Sequence, residues 1–344
     1  MANRVYGTLF HQNPVAGFSA TRRVVGAARL PETGSSFWTS SAYRLSSKRA
    51  VSKSNVVEPA SGNQSNHPGS FIARPSALRF DPKRVYSALV LLPLLYVLTW
   101  HLPPVAFFVF IAVIVLVAQW EFLGLFFEKH HLPHHALVSL PGTLLLLLAM
   151  QWPAVLDFSL TLSIILVSLL CYQVIFAPSE SRHLAMVVIL FGILYVGTTF
   201  GHFLWLRSQH NGALLVFFVL LVTWAGDAAA YYVGKTWGSR PLAPRLSPNK
   251  TVEGFVGALI VAPLVAWLSH LWFLQAVTPA DCLILGMLFT VLGLLGDLSE
   301  SALKRYAGVK DSGSLIPGHG GMLDRMDSLL LNAPVFYYYM TFVQ

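Results

Sequence analysis

From Asp81 to the C-terminus the sequence is a train of apolar stretches separated by shorter polar ones. Runs such as VAFFVFIAVIVLVAQW (105–120) and ALLVFFVLLVTWAG (213–226), joined to their apolar neighbours, approach the ~20 residues an α-helix needs to cross ~30 Å of hydrocarbon. They read as spanning helices, not core strands. Nine such segments can be drawn, at 85–101, 104–127, 136–152, 158–177, 184–206, 213–234, 252–274, 280–297 and 329–343. Composition agrees: 55% of residues are hydrophobic and 11% charged, where a soluble domain carries about a quarter charged. The expected fold is an all-α, polytopic integral membrane protein of about nine transmembrane helices.

Residues 1–80 stand apart from this membrane-embedded part, 81–344. They hold 10 of the 23 Lys and Arg, only Glu32 and Glu58 as acids, and no sustained apolar periodicity, which reads as a disordered basic tail. An acid-poor, Arg- and Ser-rich leader also resembles an organellar transit peptide, and an over-extended start would look the same. Cys171 and Cys282 lack the spacing of a disulfide framework or zinc site and suit small apolar packing. If the segment at 85 enters from the cytoplasm, the loops near 128–135, 178–183, 235–251 and 298–328 share that side. With Lys83 and Arg84 they hold 12 Lys and Arg, against Arg207 alone opposite, so the positive-inside rule sets the orientation. The two long polar loops thereby fall on one face, where one site can draw on both. The halves show no matching polar repeat, which weighs against an inverted-repeat transporter.

Acids in or beside apolar segments are candidates first, because a carboxylate at mid-bilayer costs about 2.5–3.5 kcal/mol and usually faces a cavity, a partner or a metal. Glu121, Asp227, Glu253 and Asp297 qualify, although Glu121 lies near a helix end and could simply reach the headgroups. Asp227 shares a helical face with Tyr231 and Lys235. In RLSPNKTVEG, Ser247 and Pro248 read as a turn, Thr251 as the cap of the next helix and Glu253 as an acid in its first turn. Capping leaves Lys250 unexplained, and its ammonium is placed to meet a phosphate. Further on, helical spacing puts Asp297, Ser301, Lys304 and Arg305 on or near one stripe. In a soluble protein that stripe would read as a solvated, salt-bridged face.

The segment PGHGGMLDRMDS surrounds His319 with glycines that let backbone N–H groups approach an anion. Asp324 and Asp327, three apart with Arg325 between them, point the same way if the segment is helical. Such oxygen ligands suit Mg²⁺, which takes one or two carboxylates plus substrate phosphates.

These residues together resemble the signature of the phosphatidate cytidylyltransferases, or CDP-diacylglycerol synthases. Ser301, Lys304, Arg305, Lys310, Asp311, His319, Gly320, Gly321, Asp324, Arg325 and Asp327 occupy every place of its pattern. SPNKTVEG is similar to the family's Ser-Pro-Lys-Lys-Thr-x-Glu-Gly segment, with Asn249 where a Lys is usual. The likeness spans about 81–344 and leaves the tail outside.

The resemblance implies that CTP and phosphatidate give CDP-diacylglycerol and pyrophosphate with Mg²⁺ as cofactor. It implies Asp297 and Asp324 as first-choice metal ligands, with Asp227 and Asp327 as second. Lys304, Arg305 and Arg325 would be catalytic cations, and Ser247, Asn249, Lys250, Thr251, Ser301, Lys310, Asp311, His319, Gly320 and Gly321 would bind substrate. The expected partners are CTP, phosphatidate of the cytoplasmic leaflet and membrane lipid; no nucleic acid is expected, and a homodimer is left open. The expected location is a bacterial cytoplasmic membrane, or an organellar one if residues 1–80 are a transit peptide. Two other readings are a CTP-dependent lipid kinase of the dolichol-kinase type and a polytopic transporter. The transporter has no need of the Gly-rich, Asp-Arg-x-Asp cluster.

Overall fold

The computed structural model describes residue 97 and residues 99–176, 182–275, 277–313 and 320–343, all within one compact unit, Ser70–Gln344. The tail expected over 1–80, most of the first apolar segment and His319 lie outside the described residues. The other eight expected segments are helical. The chain runs through α1 (Pro104–Phe126), α2 (Leu132–Gln151), α3 (Phe158–Phe176) and α4 (Arg182–Gly192), then through a π-helical stretch, Ile193–Thr198, into α5 (Thr199–Ser208). There follow α6 (Gly212–Trp237), strands β1 (Pro241–Ala243) and β2 (Ser247–Thr251), α7 (Val252–Trp272), α8 (Pro279–Tyr306), a 3₁₀ turn (Leu323–Arg325) and α9 (Asp327–Val343). Among the described residues, seven rods are long and apolar enough to cross a bilayer: α1, α2, α3, the joined α4–α5, α6, α7 and α8. With 17 residues, α9 is shorter.

Local chemistry sets the helix starts. Pro104 and Pro279 occupy first-turn positions that require no N–H partner. Thr278 accepts the Asp281 N–H at 3.2 Å, and Thr251 accepts the Gly254 N–H at 3.2 Å, the cap expected of it. Asn211 enters α6 in the left-handed region, at φ 58°.

The polar stretch after α6 departs from expectation. Ser247 and Pro248 are not a turn but part of β2, which pairs antiparallel with β1. The reversal falls at Pro244 and Arg245, closed by the Leu246 N–H on the Ala243 carbonyl. Proline presets φ for such a turn, so Pro244 takes the role given to Pro248. Glu253 closes the hairpin onto α7: its carboxylate accepts the Ser239 N–H at 3.0 Å, the Ser239 hydroxyl at 2.8 Å and the Arg240 N–H at 3.2 Å.

Small residues bring α6, α7 and α8 close together, the usual device where lipid removes the hydrophobic drive for helix association. A Cβ on Gly257 would lie 2.6 Å from Val233 Cγ2, and one on Gly254 2.6 Å from the Ala230 carbonyl oxygen. Phe218, Phe289 and Phe336 meet where α6, α8 and α9 converge, with ring centroids 5.3–5.9 Å apart. Buried hydrogen bonds tie the helices as well: Gln119 to Ser139 at 2.7 Å, and Asn332 to Thr223 at 2.9 Å. Large apolar side chains such as Val109, Val113, Val167, Ile260 and Ile284 are left exposed on the outside of the bundle, the surface hydrocarbon would cover.

Candidate active site

The polar residues gather at one end of the bundle, where α6, α8 and α1 end and α7 and α9 begin. Two clusters form there. In the first, Asp297 of α8 is paired with Lys250 of β2 and accepts the Ser301 hydroxyl at 3.4 Å. The charges of Asp227, Asp297 and Lys250 act on Asp327, the first residue of α9, and those of Asp297 and Lys250 act on Asp227. Three acids from three helices thus lie within electrostatic reach of one ammonium, an excess of negative charge that favours a cation. The Ser328 N–H donates to Asp327 Oδ1 at 2.6 Å, and the Ser328 hydroxyl lies 3.3 Å from the same oxygen. Asp227, Tyr231 and Lys235 all lie on α6, and Lys235 Nζ sits 3.4 Å from the Tyr231 hydroxyl.

The second cluster is built on Lys304. Its Nζ lies 2.6 Å from Asp324 Oδ1 and 3.1 Å from Glu300 Oε1. Asp324 also accepts the Gly321 N–H at 2.8 Å and the Ser312 N–H at 3.1 Å. Burial opposes the charge on Asp324, yet contact with Glu300, the Lys304 ammonium and the Gly321 N–H outweigh it and hold the carboxyl at about 2. Gly320 adopts φ 82°, a conformation L side chains rarely take, and a Cβ there would sit 2.9 Å from Asp324 Oδ2.

Asp324 and Asp327 therefore do not point the same way. The helix does not run through both: a 3₁₀ turn ends at Arg325, Met326 intervenes, and α9 begins afresh at Asp327. Asp324 turns to Lys304, Ser312 and Gly321, whereas Asp327 accepts from Ser328 and feels the charges of Asp297 and Asp227. Asp297 and Asp324, expected together, belong to separate hydrogen-bond networks.

Around the clusters, Arg305 bridges the hairpin and the loop after α8, donating to the Leu246 carbonyl at 3.4 Å and the Val309 carbonyl at 3.2 Å. Asn249, Lys310, Asp311 and Arg325 are exposed at the same end, and Ser247 is partly covered. Two residues were missed in the sequence. Glu300 is fully buried beside Lys304, and its position four residues before that lysine was the available signal. Tyr195 sits on the π-helical stretch, a distortion frequent at functional sites, and the charges of Glu300, Asp327 and Asp297 all reach it.

Carboxylate oxygens at the first cluster fit a hard divalent cation by donor type. Among the described residues no three ligating groups stand close enough to hold an ion by themselves. An ion would take one or two carboxylates and complete its shell from phosphate oxygens and water, the habit of Mg²⁺.

Fold and site define a class: a polytopic membrane protein with carboxylates and ammonium groups concentrated at one end of its helices. A model of the cytidylyltransferase family matches residues 82–343, so the chain belongs to that family. It is similar to the phosphatidate cytidylyltransferase of Bacillus subtilis, 36% identical over 222 residues that cover 62% of this chain and 82% of that protein. The enzymes of that name from Haemophilus influenzae and Staphylococcus saprophyticus are 42% and 43% identical over 142 and 154 residues, 40% and 42% of this chain. Those matches span about half of each relative, 49% and 55%.

Proposed function

We propose that the chain transfers the cytidylyl group of CTP to phosphatidate, giving CDP-diacylglycerol and pyrophosphate. The observation that carries this reading is the meeting of Asp227, Asp297, Asp327 and Lys250 at one end of a membrane bundle, in a chain of the cytidylyltransferase family. The names of the bacterial relatives supply the lipid. A phosphate oxygen of phosphatidate attacks the α-phosphorus of CTP; the bond from that phosphorus to the bridging oxygen breaks, and pyrophosphate leaves with the electron pair. The attacking phosphate is already anionic near neutral pH, so no strong base is required. Catalysis of this kind is positioning and charge stabilisation.

The residues divide the work by location. Asp297, with one of Asp227 or Asp327, would hold Mg²⁺ together with substrate phosphates, and the ion when bound would offset charge on those phosphates. Lys250 faces the same space, and Ser301 steadies Asp297. Asp324 is assigned a different part from metal binding, because its oxygens already accept two backbone N–H groups and the Lys304 ammonium. It fixes Lys304 and, by accepting the Gly321 N–H, the backbone of the glycine turn. Arg305, Lys310 and Arg325 add positive charge at the rim, and Ser247, Asn249 and Thr251 form the hairpin wall with Lys250. The bilayer is proposed to be a bacterial cytoplasmic membrane with the site on its cytoplasmic face, in keeping with the charge bias of the loops.

The test is incubation of the purified protein with CTP labelled in the cytidine and with phosphatidate vesicles. CDP-lipid formation that stops with EDTA and returns with Mg²⁺ is expected. CDP as product, with phosphate moved to lipid, would mark a kinase instead.

A further inference from the structure

Glu121 is a buried acid left unused by the two clusters. It lies near the end of α1, 7% exposed, and its hydrogen-bond partners among the described residues come from the segment between α8 and α9. Its Oε2 accepts the Leu323 N–H at 2.9 Å and the Ser312 hydroxyl at 3.3 Å, and the Met322 N–H also bonds the carboxylate. Oε1 is buried without a hydrogen-bond partner among the described residues and abuts Gly313, where a Cβ would strike it. A Cβ on Gly321 would come 2.5 Å from Oε2. The carboxylate thus occupies the space that side chains at Gly313 and Gly321 would need.

Asp324 grips the same two stretches, taking the N–H groups of Ser312 and Gly321. Ser312 is shared, its amide going to Asp324 and its hydroxyl to Glu121. Ser312–Gly313 and Gly320–Leu323 are therefore held between two carboxylates, one local and one from a helix some 190 residues earlier in the chain. A headgroup-seeking acid would not bury itself against backbone amides. A carboxylate accepting several N–H groups in a low-dielectric setting fixes them firmly.

We infer that Glu121 is a positioning residue for nucleotide binding: it holds the backbone of Ser312–Gly313 and Gly320–Leu323 in the geometry that receives the CTP phosphates. The inference rests on the proposed cytidylyl transfer. If Glu121 merely supported folding, its loss would reduce the number of active molecules, lowering kcat per mole of protein and leaving KM unchanged. If it positions the backbone, KM for CTP rises.

The experiment compares full-length parent, Glu121→Gln, Glu121→Asp and Ser312→Ala in lipid nanodiscs. Glu121→Gln is expected to raise KM for CTP about tenfold or more, with kcat changed far less, and Glu121→Asp to recover part of that loss. Hydrogen exchange at Met322 and Leu323 should quicken about tenfold in Glu121→Gln while exchange in α6 and α8 stays at the parent rate. Parent-like KM together with parent-like exchange overturns the inference, as does a fall in kcat alone. Should Glu121→Gln fail to accumulate, Ser312→Ala removes a single contact and should still raise KM severalfold; an unchanged KM there overturns the inference. If the parent itself converts no CTP, the proposed function falls, and the exchange data alone then decide whether Glu121 tethers the segment.

Discussion

Lys250 and Asp297 meet across 47 residues of sequence, and the chemistry proposed here depends on that meeting more than on any other pair. Lys250→Met would leave three acids without their ammonium; turnover is expected to fall by roughly 100-fold or more while the protein still inserts. A radiolabel assay at saturating CTP and phosphatidate checks this, and near-parent turnover contradicts the assignment. Asp324 gives a pH prediction with a definite sign. Its carboxyl titrates at about 2 against an ordinary 3.8. A depressed carboxylate contributes stability that is complete above the ordinary value and fades as pH falls through the folded one. The Tm gap between parent and Asp324→Asn should therefore stay constant from about pH 8 down to 5 and close only below about 4. Residue types were readable in the sequence, but their partners were not. Lys304 reads as a phosphate clamp until Glu300 and Asp324 are seen on either side of it, and Glu121 reads equally as a site acid or as one reaching the headgroups until the chain returns 191 residues later.

Among the elements, the long helices were legible because twenty apolar residues in a row leave few alternatives. The β1–β2 hairpin was not, since strands of three and five residues carry no periodicity worth reading and its turn proline was one of several. The break between Asp324 and Asp327 escaped for a similar reason: three-residue spacing fits one helix as well as a 3₁₀ turn followed by a new start. The close approach of α6 and α7 yields a prediction at this scale. Gly257→Val would push its branched side chain into Val233 and force the helices apart, at a cost of about 1–3 kcal/mol. Thermal unfolding in nanodiscs should show a lowered Tm, and Val233→Ala in the same chain should recover much of it. Recovery would identify the clash and exclude a general intolerance of substitution.

For the whole molecule, the arrangement requires the hairpin and the loop after α8 to open on the same side of the bilayer, with the α5–α6 turn opposite. In a variant lacking Cys171 and Cys282, single cysteines at Arg245 and Lys310 should react with an impermeant maleimide from one side only, and a cysteine at Asn211 from the other. Labelling of Arg245 and Lys310 positions from different sides would dismantle the site as described. The unequal lengths of α8 and α9 add a vertical dimension. The Asp327 carbonyl lies against Gly296, and α8 continues from there for ten residues to Tyr306, about 15 Å of helix. Asp327 thus begins its helix about three helical turns below the end of its neighbour. As the proposed substrate, phosphatidate would approach laterally within the leaflet, whereas CTP would come down past the end of α8 from water. For the proposed reaction, the pyrophosphate must make the same climb in reverse, past Lys304 and the rim arginines, so the charges that draw CTP down would also slow the departure of its by-product.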